Sequence, residues 1–191
     1  MIAELGLAAL WLAAALAVLQ LVAGALAVRQ DVASGEAGAE ASIADLTRPA
    51  TIVQGVFAAL SFVALLYVFA ITDLSVKLVA ENSHSLKPMI FKLSGAWGNH
   101  EGSMLLWVTV LAASGALIAM VERRLPERMM QAVLAAQGFV ALGFYAFLLL
   151  SSNPFERLPI PAEEGAGLNP LLQDIGPVSY THLTLPTIYS V

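Results

Sequence analysis

Long apolar runs alternate with shorter polar stretches along the 191 residues of this chain. Each run has close to the ~20 residues that an α-helix needs to span ~30 Å of hydrocarbon, and none contains Lys or Arg. The four runs cover residues 2–28, 50–71, 103–121 and 129–150. This pattern predicts an all-α protein, a polytopic transmembrane helical bundle with four spans in the lipid bilayer.

The first run has one feature of a secretory signal, because Ala25-Leu26-Ala27 resembles a cleavage site for signal peptidase. Three features argue against cleavage. Glu4 stands where a signal peptide carries Lys or Arg, the apolar stretch exceeds the usual ~7–15 residues, and the first positive charge, Arg29, follows the run. We therefore expect residues 2–28 to be the first transmembrane helix.

Charge in the loops predicts the orientation of the bundle. With four spans, one side carries five arginines, namely Arg29, Arg48, Arg123, Arg124 and Arg128. The other side carries four basic residues spread over longer segments, namely Lys77, Lys87, Lys92 and Arg157. The three arginines within residues 122–128 form the kind of short-loop cluster that stays in the cytoplasm. Residues 72–102 and the stretch from Ser151 onward are therefore predicted to lie outside the cytoplasm.

Local signals mark the ends of these helices. Pro49 suits the first turn of the second span, and either Asn99 or Ser103 is a candidate N-cap of the third. Leu125-Pro126 predicts a tight hairpin between the last two spans. Several Pro and Gly residues after Leu150 predict an extended loop. Asn169-Pro170 then predicts a further short helix from Leu171 to Asp174.

Composition excludes several classes of function. Hydrophobic residues make up 59% of the chain and charged residues only 12%, which is far more apolar than a soluble domain of this size. The formal net charge is −5 and no basic cluster is interleaved with aromatic residues, so no nucleic-acid partner is expected. Cysteine is absent, which excludes disulfides, thiolate metal sites and covalent haem attachment to this chain.

The stretch Trp97–Trp107, WGNHEGSMLLW, places ionisable residues at the mouth of the third span. Ionisable groups at a membrane edge cost free energy unless they are solvated, paired with another group or part of a functional site. On a helix, His100, Met104 and Trp107 would share one face with Leu111. His and Met can ligate haem iron and an indole can pack on a porphyrin, but Met and Trp on a helical stripe more often pack in a core.

Other residues near this stretch leave alternatives open. Glu101 suits either a surface charge or a partner that orients a neighbouring His. Gly98 and Gly102 fit either a close approach of another backbone to a helix or a turn in a loop. His84 lies in a polar run and is expected to be a solvated loop residue.

Three motifs resemble one known family. Trp97-Gly98-Asn99-His100-Glu101-Gly102-Ser103, followed by Leu105-Leu106-Trp107, resembles the signature of the CcmF/NrfE family, the haem lyase subunit of bacterial cytochrome c maturation. The stretches 151–155 and 168–176 are similar to the same family in the same order. The resemblance covers nearly all of residues 1–176, which are interpreted as the N-terminal transmembrane part of a longer protein.

The resemblance implies a multi-pass protein of the bacterial inner membrane that handles haem and helps attach it to the CxxCH thiols of apocytochrome c. The implied partners are other cytochrome c maturation subunits, a haem-carrying chaperone and apocytochrome c. The haem-ligating histidines of the family begin in a His-Pro-Pro stretch beyond the position of Gly176, so no catalytic residue or metal ligand is carried over. Trp97, His100, Glu101 and Trp107 are the candidates for lining the outer haem cleft.

Residues 177–191 depart from the family pattern at Pro177 and change abruptly to Ser, Thr and Tyr. Pro177–Thr187 corresponds to one reading frame of a transposase mosaic-end adaptor used in sequencing libraries. We therefore expect a non-native tail, in which His182 has no function, and no activity of the fragment alone. Two alternatives to the haem lyase hypothesis stay open: a structural membrane subunit that only docks partners, and a secondary transporter subunit.

Overall fold

The computed structural model of this chain describes residues 1–33, 45–122 and 124–167. Within these ranges the chain folds into six helices and contains no strand longer than an isolated bridge, which confirms the all-α prediction. The helices are α1 Ile2–Ala33, α2 Thr47–Ala70, α3 Lys77–Asn82, α4 Met89–Gly95, α5 His100–Val121 and α6 Glu127–Leu150. The predicted helix from Leu171 to Asp174 and the tail from Pro177 lie outside the described residues.

Four helices, α1, α2, α5 and α6, are long and apolar enough to cross a membrane. They correspond to the four predicted spans, with differences at their ends. Helix α1 continues to Ala33 instead of ending at residue 28, and α5 begins at His100, three residues before the predicted start. Pro49 lies in the first turn of α2 as predicted, and the Leu125-Pro126 turn joins α5 to α6.

Small residues let the four long helices approach closely. Helix α1 packs against α2 and α6, and α2 packs against α5. A Cβ added at Gly24 in α1 would lie 2.9 Å from the Ala135 side chain in α6, and one added at Gly55 in α2 would lie 2.8 Å from that of Ala116 in α5. Helix interfaces in lipid depend on such close packing because apolar burial from water contributes little there.

Buried amide side chains add polar links between these helices. The Gln20 amide donates to the Leu134 carbonyl at 2.6 Å and to Gln137 Oε1 at 2.5 Å. The Gln137 amide in turn donates to the Leu111 carbonyl at 3.3 Å, so α1, α6 and α5 are connected. Gln54 Nε2 donates to the buried Tyr145 hydroxyl at 3.4 Å.

One end of the bundle, where α2 ends and α5 begins, carries a folded polar layer. We call residues 71–102 and 151–167 the cap layer; it contains α3, α4, the first turn of α5 and the extended segment after α6. The two parts pair through an antiparallel bridge between Val76 and Arg157. The Ala166 and Gly167 amides also donate to the carbonyls of Ala80 and Ser83, at 2.8 and 3.1 Å. The predicted extended loop is therefore held in place along its length.

At the opposite end of the bundle, one ion pair joins α2 to α6. The Arg48 guanidinium donates to both carboxylate oxygens of Glu127, at 2.9 and 3.3 Å. Gln131 Nε2 also donates to Glu127, at 3.0 Å. This bidentate geometry is the stronger form of an Arg–carboxylate contact.

Candidate functional site: the turn between α4 and α5

Asn99 shapes the turn that contains the sequence motif. It is the N-cap of α5, and its Oδ1 accepts a hydrogen bond from the Gly102 amide at 2.7 Å. Its Nδ2 donates to the Gly95 carbonyl, at the end of α4, at 2.6 Å. One side chain therefore satisfies a free N–H at the start of one helix and a free C=O at the end of another. Of the two predicted caps, Asn99 is the one used.

Gly102 allows this turn to fold back on the first turn of α5. A Cβ at Gly102 would lie only 1.6 Å from the Ala96 carbonyl oxygen, so any side chain would displace the backbone. The close approach of a backbone, one of the two alternatives for the glycines, is therefore the role of Gly102. The approaching backbone belongs to the turn itself and not to another transmembrane helix.

His100 connects the start of α5 to the end of α6. Its Nδ1 lies 3.2 Å from Ser152 Oγ, and its ring meets the Phe147 ring edge to face, with centroids 5.5 Å apart and an interplanar angle of 81°. Because Nδ1 faces the hydroxyl, any bond from His100 to another group would use Nε2. His100 thus has a positioning contact on one side of its ring.

Glu101 contributes to a charged cluster centred on Lys77. The Lys77 ammonium pairs with Glu156 at 3.1 Å, and both residues are well exposed. The hydrogen bond and charge of Glu156, followed by the charges of Glu81 and Glu101, raise the pKa of Lys77. Glu156 makes the ion pair with Lys77, and Glu81 and Glu101 act on the same cation through their charge alone.

An apolar groove runs between α5 and α6 below His100. Its volume is about 280 Å³. The residues that line it are Met104, Val140, Gly143, Phe144 and Phe147. A Cβ at Gly143 would meet nothing within 4 Å, so the space beside this glycine is open. His100, through its ring contact with Phe147, lies at one end of this groove.

The structure places the four predicted cleft residues at the same end of the bundle but not in one cavity. Trp97 is 43% exposed in the turn, and Trp107 is 65% exposed on α5. Neither indole is among the side chains that line the groove. His100 and Met104 lie towards α6, whereas Trp107, which the stripe predicts on the same face, presents its ring to the surroundings, as does Trp97.

His84 belongs to a second polar cluster in the cap layer. Its Nδ1 accepts from the Leu86 amide at 3.2 Å and lies 3.8 Å from Glu164. Glu164 accepts hydrogen bonds from the Ser85 hydroxyl at 2.6 Å and the Ser85 amide at 3.1 Å. These bonds, with one from the Gly165 amide, lower the pKa of Glu164 to about 2. His84 lies in a loop as predicted and is partly exposed, and these contacts add a defined set of polar partners.

Sequence reasoning did not identify the partners that complete these clusters. Ser152 and Glu164 lie 52 and 79 residues from the residues that they contact, and no local periodicity predicts such pairs. In the sequence, Ser152 stands out only as part of the motif after the last span. In the described part of the chain, no group of three or more His, Cys, Asp or Glu side chains could hold a metal ion.

Comparisons with known proteins agree on one family. The profile described as Cytochrome C assembly protein matches residues 97–187, beginning at Trp97 of the motif. The cytochrome c-type biogenesis protein CycK of Rhizobium meliloti is 47% identical over 176 residues, which is 92% of this chain and 25% of that protein. The cytochrome c-type biogenesis protein CcmF of Haemophilus influenzae is 42% identical over 71% of this chain and 21% of that protein.

A solved structure is also similar. The cytochrome c haem lyase CcmF matches with a TM-score of 0.72 and 26% sequence identity, over 82% of this chain and 25% of that one. The chain therefore spans about a quarter of the length of the relatives it matches.

Proposed function

This chain belongs to the CcmF family of cytochrome c biogenesis proteins, and we propose that residues 1–176 form the N-terminal transmembrane part of a longer membrane haem lyase subunit. The subunit would handle haem, its substrate, and help to attach it to the CxxCH thiols of apocytochrome c. Its partners would be other cytochrome c maturation subunits, a haem-carrying chaperone and the apocytochrome. This chain has no cysteine, so the apocytochrome must supply the reacting thiols.

The role that we propose for the cap layer is to support and line one side of the haem cleft. The observation that carries this proposal is the rigid turn between α4 and α5, where the family match begins. Trp97 and Trp107 expose flat, apolar rings of the kind that pack on a porphyrin. His100 contacts Ser152, and Glu101 follows His100 in the first turn of α5. Axial ligation of the iron is assigned to no residue of this chain.

Substitutions in the longer gene product test this role. His100→Ala and Glu101→Gln should each lower the yield of mature cytochrome c several-fold in a strain that lacks its own haem lyase subunit, measured by haem staining. His84→Ala and Glu163→Gln are matched controls, because they remove the same chemical groups elsewhere in the cap layer. Equal, near-normal yields from all four variants would contradict a role in the haem cleft.

A spectroscopic measurement separates this proposal from a subunit that only docks partners. Haem-dependent absorbance should accompany the purified longer protein, and His100→Ala should alter the spectrum without abolishing it, since we assign no axial ligand to His100. Complete loss of haem in that variant would show that His100 is a ligand. A longer protein that never carries haem would favour the docking role.

We also propose that the protein lies in the bacterial inner membrane with the cap layer in the periplasm. The arginines of residues 122–128 support this orientation. Single cysteines at Glu163 and Ser34 should differ completely in labelling by an impermeant maleimide when only the outer membrane is permeabilised. Glu163 is exposed in the cap layer and should be labelled. Labelling of the residue 34 cysteine alone would invert the topology.

A further inference from the structure

Part of the cap layer exposes large apolar side chains, although it lies beyond the ends of the spans. Between residues 86 and 97, Leu86 is 87% exposed, Ile90 66% and Met89 54%. Trp97, at the end of the same segment, is 43% exposed. The paired segments around Val76 and Ala166 are instead held by backbone hydrogen bonds and ion pairs. Such a concentration of exposed apolar side chains marks an interaction surface.

The contacts of α4 place this segment at the edge of the hydrocarbon. A Cβ at Gly95 would lie 3.1 Å from the Phe69 ring, one residue before the end of α2. The Gly95 carbonyl is bonded to Asn99, the cap of α5. Helix α4 therefore ends where one span finishes and another starts, which is the depth at which lipid headgroups meet the acyl chains.

Charge on this segment is positive. Lys87 and Lys92 are its only ionisable side chains between Ser85 and Asn99, whereas acidic residues dominate the chain as a whole. A short helix with apolar residues, lysines and a terminal tryptophan has the composition of segments that lie in the plane of the membrane interface. Lysines at this depth attract anionic headgroups, and the indole favours the same layer.

We propose that residues 86–97 lie in the headgroup layer of the bilayer on the cap-layer side and bind anionic phospholipid there. Met89 and Ile90 enter the boundary of the acyl chains, Lys92 contacts headgroup phosphates, and Trp97 anchors the end of the segment. The segment adjoins the proposed haem cleft at Trp97, and the lipid contacts proposed for Met89, Ile90 and Lys92 do not depend on that function. A protein partner covering the same side chains is the competing occupant, which the following experiment distinguishes.

Depth measurements on a nitroxide label test the proposal directly. This chain has no native cysteine, so Ile90→Cys gives the labelled site; it is introduced into the longer protein, with any cysteine beyond residue 176 replaced by serine, and reconstituted into nanodiscs of phosphatidylcholine and phosphatidylglycerol. Collisions with oxygen and with a water-soluble nickel chelate are compared with those of two controls. Leu60→Cys, 52% exposed near the middle of α2, reports the bilayer interior, and Glu163→Cys reports water.

The Ile90 label should have an oxygen-to-nickel collision ratio between those of the two controls. A ratio equal to that of Glu163→Cys would overturn the proposal, because the segment would then face water. Low collision rates with both reagents would also overturn it, since a protein surface would cover the site.

The charge requirement gives a second measurement on the same label. Omitting phosphatidylglycerol should move the Ile90 label towards water, and Lys92→Gln should remove most of this difference between the two lipid compositions. An identical depth in both compositions would contradict binding of anionic headgroups. Thermal unfolding of each labelled variant should match that of the unsubstituted chain, because the substituted side chain at Ile90 is largely exposed.

Discussion

The cap layer and the membrane interior are held together in different ways. In the interior, neighbouring helices meet through small residues and a few amide side chains such as Gln20 and Gln137. In the cap layer, segments about 80 residues apart are joined by backbone hydrogen bonds, by the Lys77–Glu156 ion pair and by the Ser85–Glu164 hydrogen bonds. Close packing of helices therefore holds the interior together, whereas specific hydrogen bonds and an ion pair hold the cap layer together.

Two glycines of the cap layer have less free space around them than two glycines of the interior. A Cβ in the cap layer would lie 1.6 Å from a carbonyl oxygen at Gly102 and 2.0 Å at Gly165. In the interior, the corresponding nearest atoms are at 2.8 Å for Gly55 and 2.9 Å for Gly24. The backbone at Gly102 and Gly165 is therefore fitted more tightly than the helix contacts at Gly24 and Gly55. A region that must hold exposed side chains in a fixed arrangement needs this kind of precision.

The largest stability effect is expected for Gly102→Ala. The added methyl group would overlap the Ala96 carbonyl, so the turn and its Asn99 cap must shift. Overpacking of this kind typically costs about 1–3 kcal/mol. Thermal unfolding in detergent, followed by far-UV circular dichroism, should show a lower midpoint for this variant.

Gly143→Ala is the matched control for that substitution, because no atom lies within 4 Å of the added Cβ. Replacing a glycine inside a helix by alanine should instead stabilise the protein by about 0.8–1.0 kcal/mol. If both variants unfolded at the same temperature, the tight fit at Gly102 would have no energetic meaning.

A smaller effect is expected from the amide link in the interior. Gln20→Leu and Gln137→Leu each break the bond between α1 and α6, and the double variant completes a mutant cycle. The coupling energy should be about 0.6 kcal/mol, with an upper bound near 1.7 kcal/mol for hydrogen bonds between transmembrane helices. Unfolding by increasing mole fractions of a denaturing detergent provides the four free energies. Strictly additive effects would show that this hydrogen bond contributes no stability.

The smallest effect concerns pH and the pairing of the two parts of the cap layer. Hydrogen bonds from Ser85 lower the pKa of Glu164 from 4.5 to about 2, so the folded form favours the carboxylate. The contribution of the Glu164 carboxylate to the stability of this pairing is complete above pH 4.5 and is lost as the pH falls from there towards 2. Exchange protection of the Ala166 and Gly167 amides, corrected for intrinsic rates, should fall several-fold over this range.

Two variants identify the responsible carboxyl group. Glu164→Gln should remove most of this pH dependence and start from lower protection, whereas Glu163→Gln should retain it. The effect is modest because Glu164 is exposed and the solvent screens its interactions. A Glu164→Gln variant with an unchanged pH profile would show that another group controls the pairing.

The four spans could be predicted because each is a long run of apolar residues, and this signal depends only on local composition. The Asn99 cap could also be predicted, since a capping side chain acts within three residues of its own position. Helices α3 and α4 were not predicted. They contain six and seven residues, too few for a clear helical period.

The sequence predicted the position of the candidate site but not the tertiary contacts of its residues. Trp97, His100, Glu101 and Trp107 were assigned to one end of a span, and they lie there. The contact between His100 and Ser152, and the place of Glu101 in the Lys77 cluster, depend on how α5 and α6 pack. Pairing between distant segments is a property of the tertiary fold, and a single sequence carries no periodic signal for it.

The long sequence separation within the cap layer has a consequence for biosynthesis. Lys77 and Ser85 each pair with a residue 79 positions later in the chain. At about 5–20 residues per second, those partners are synthesised on the order of 4–16 seconds after them. During this interval residues 71–99 wait at the membrane surface without their pairing segment. The two parts of the cap layer can pair only after α5 and α6 have been inserted. A paired cap layer therefore indicates that the hairpin of α5 and α6 has entered the membrane.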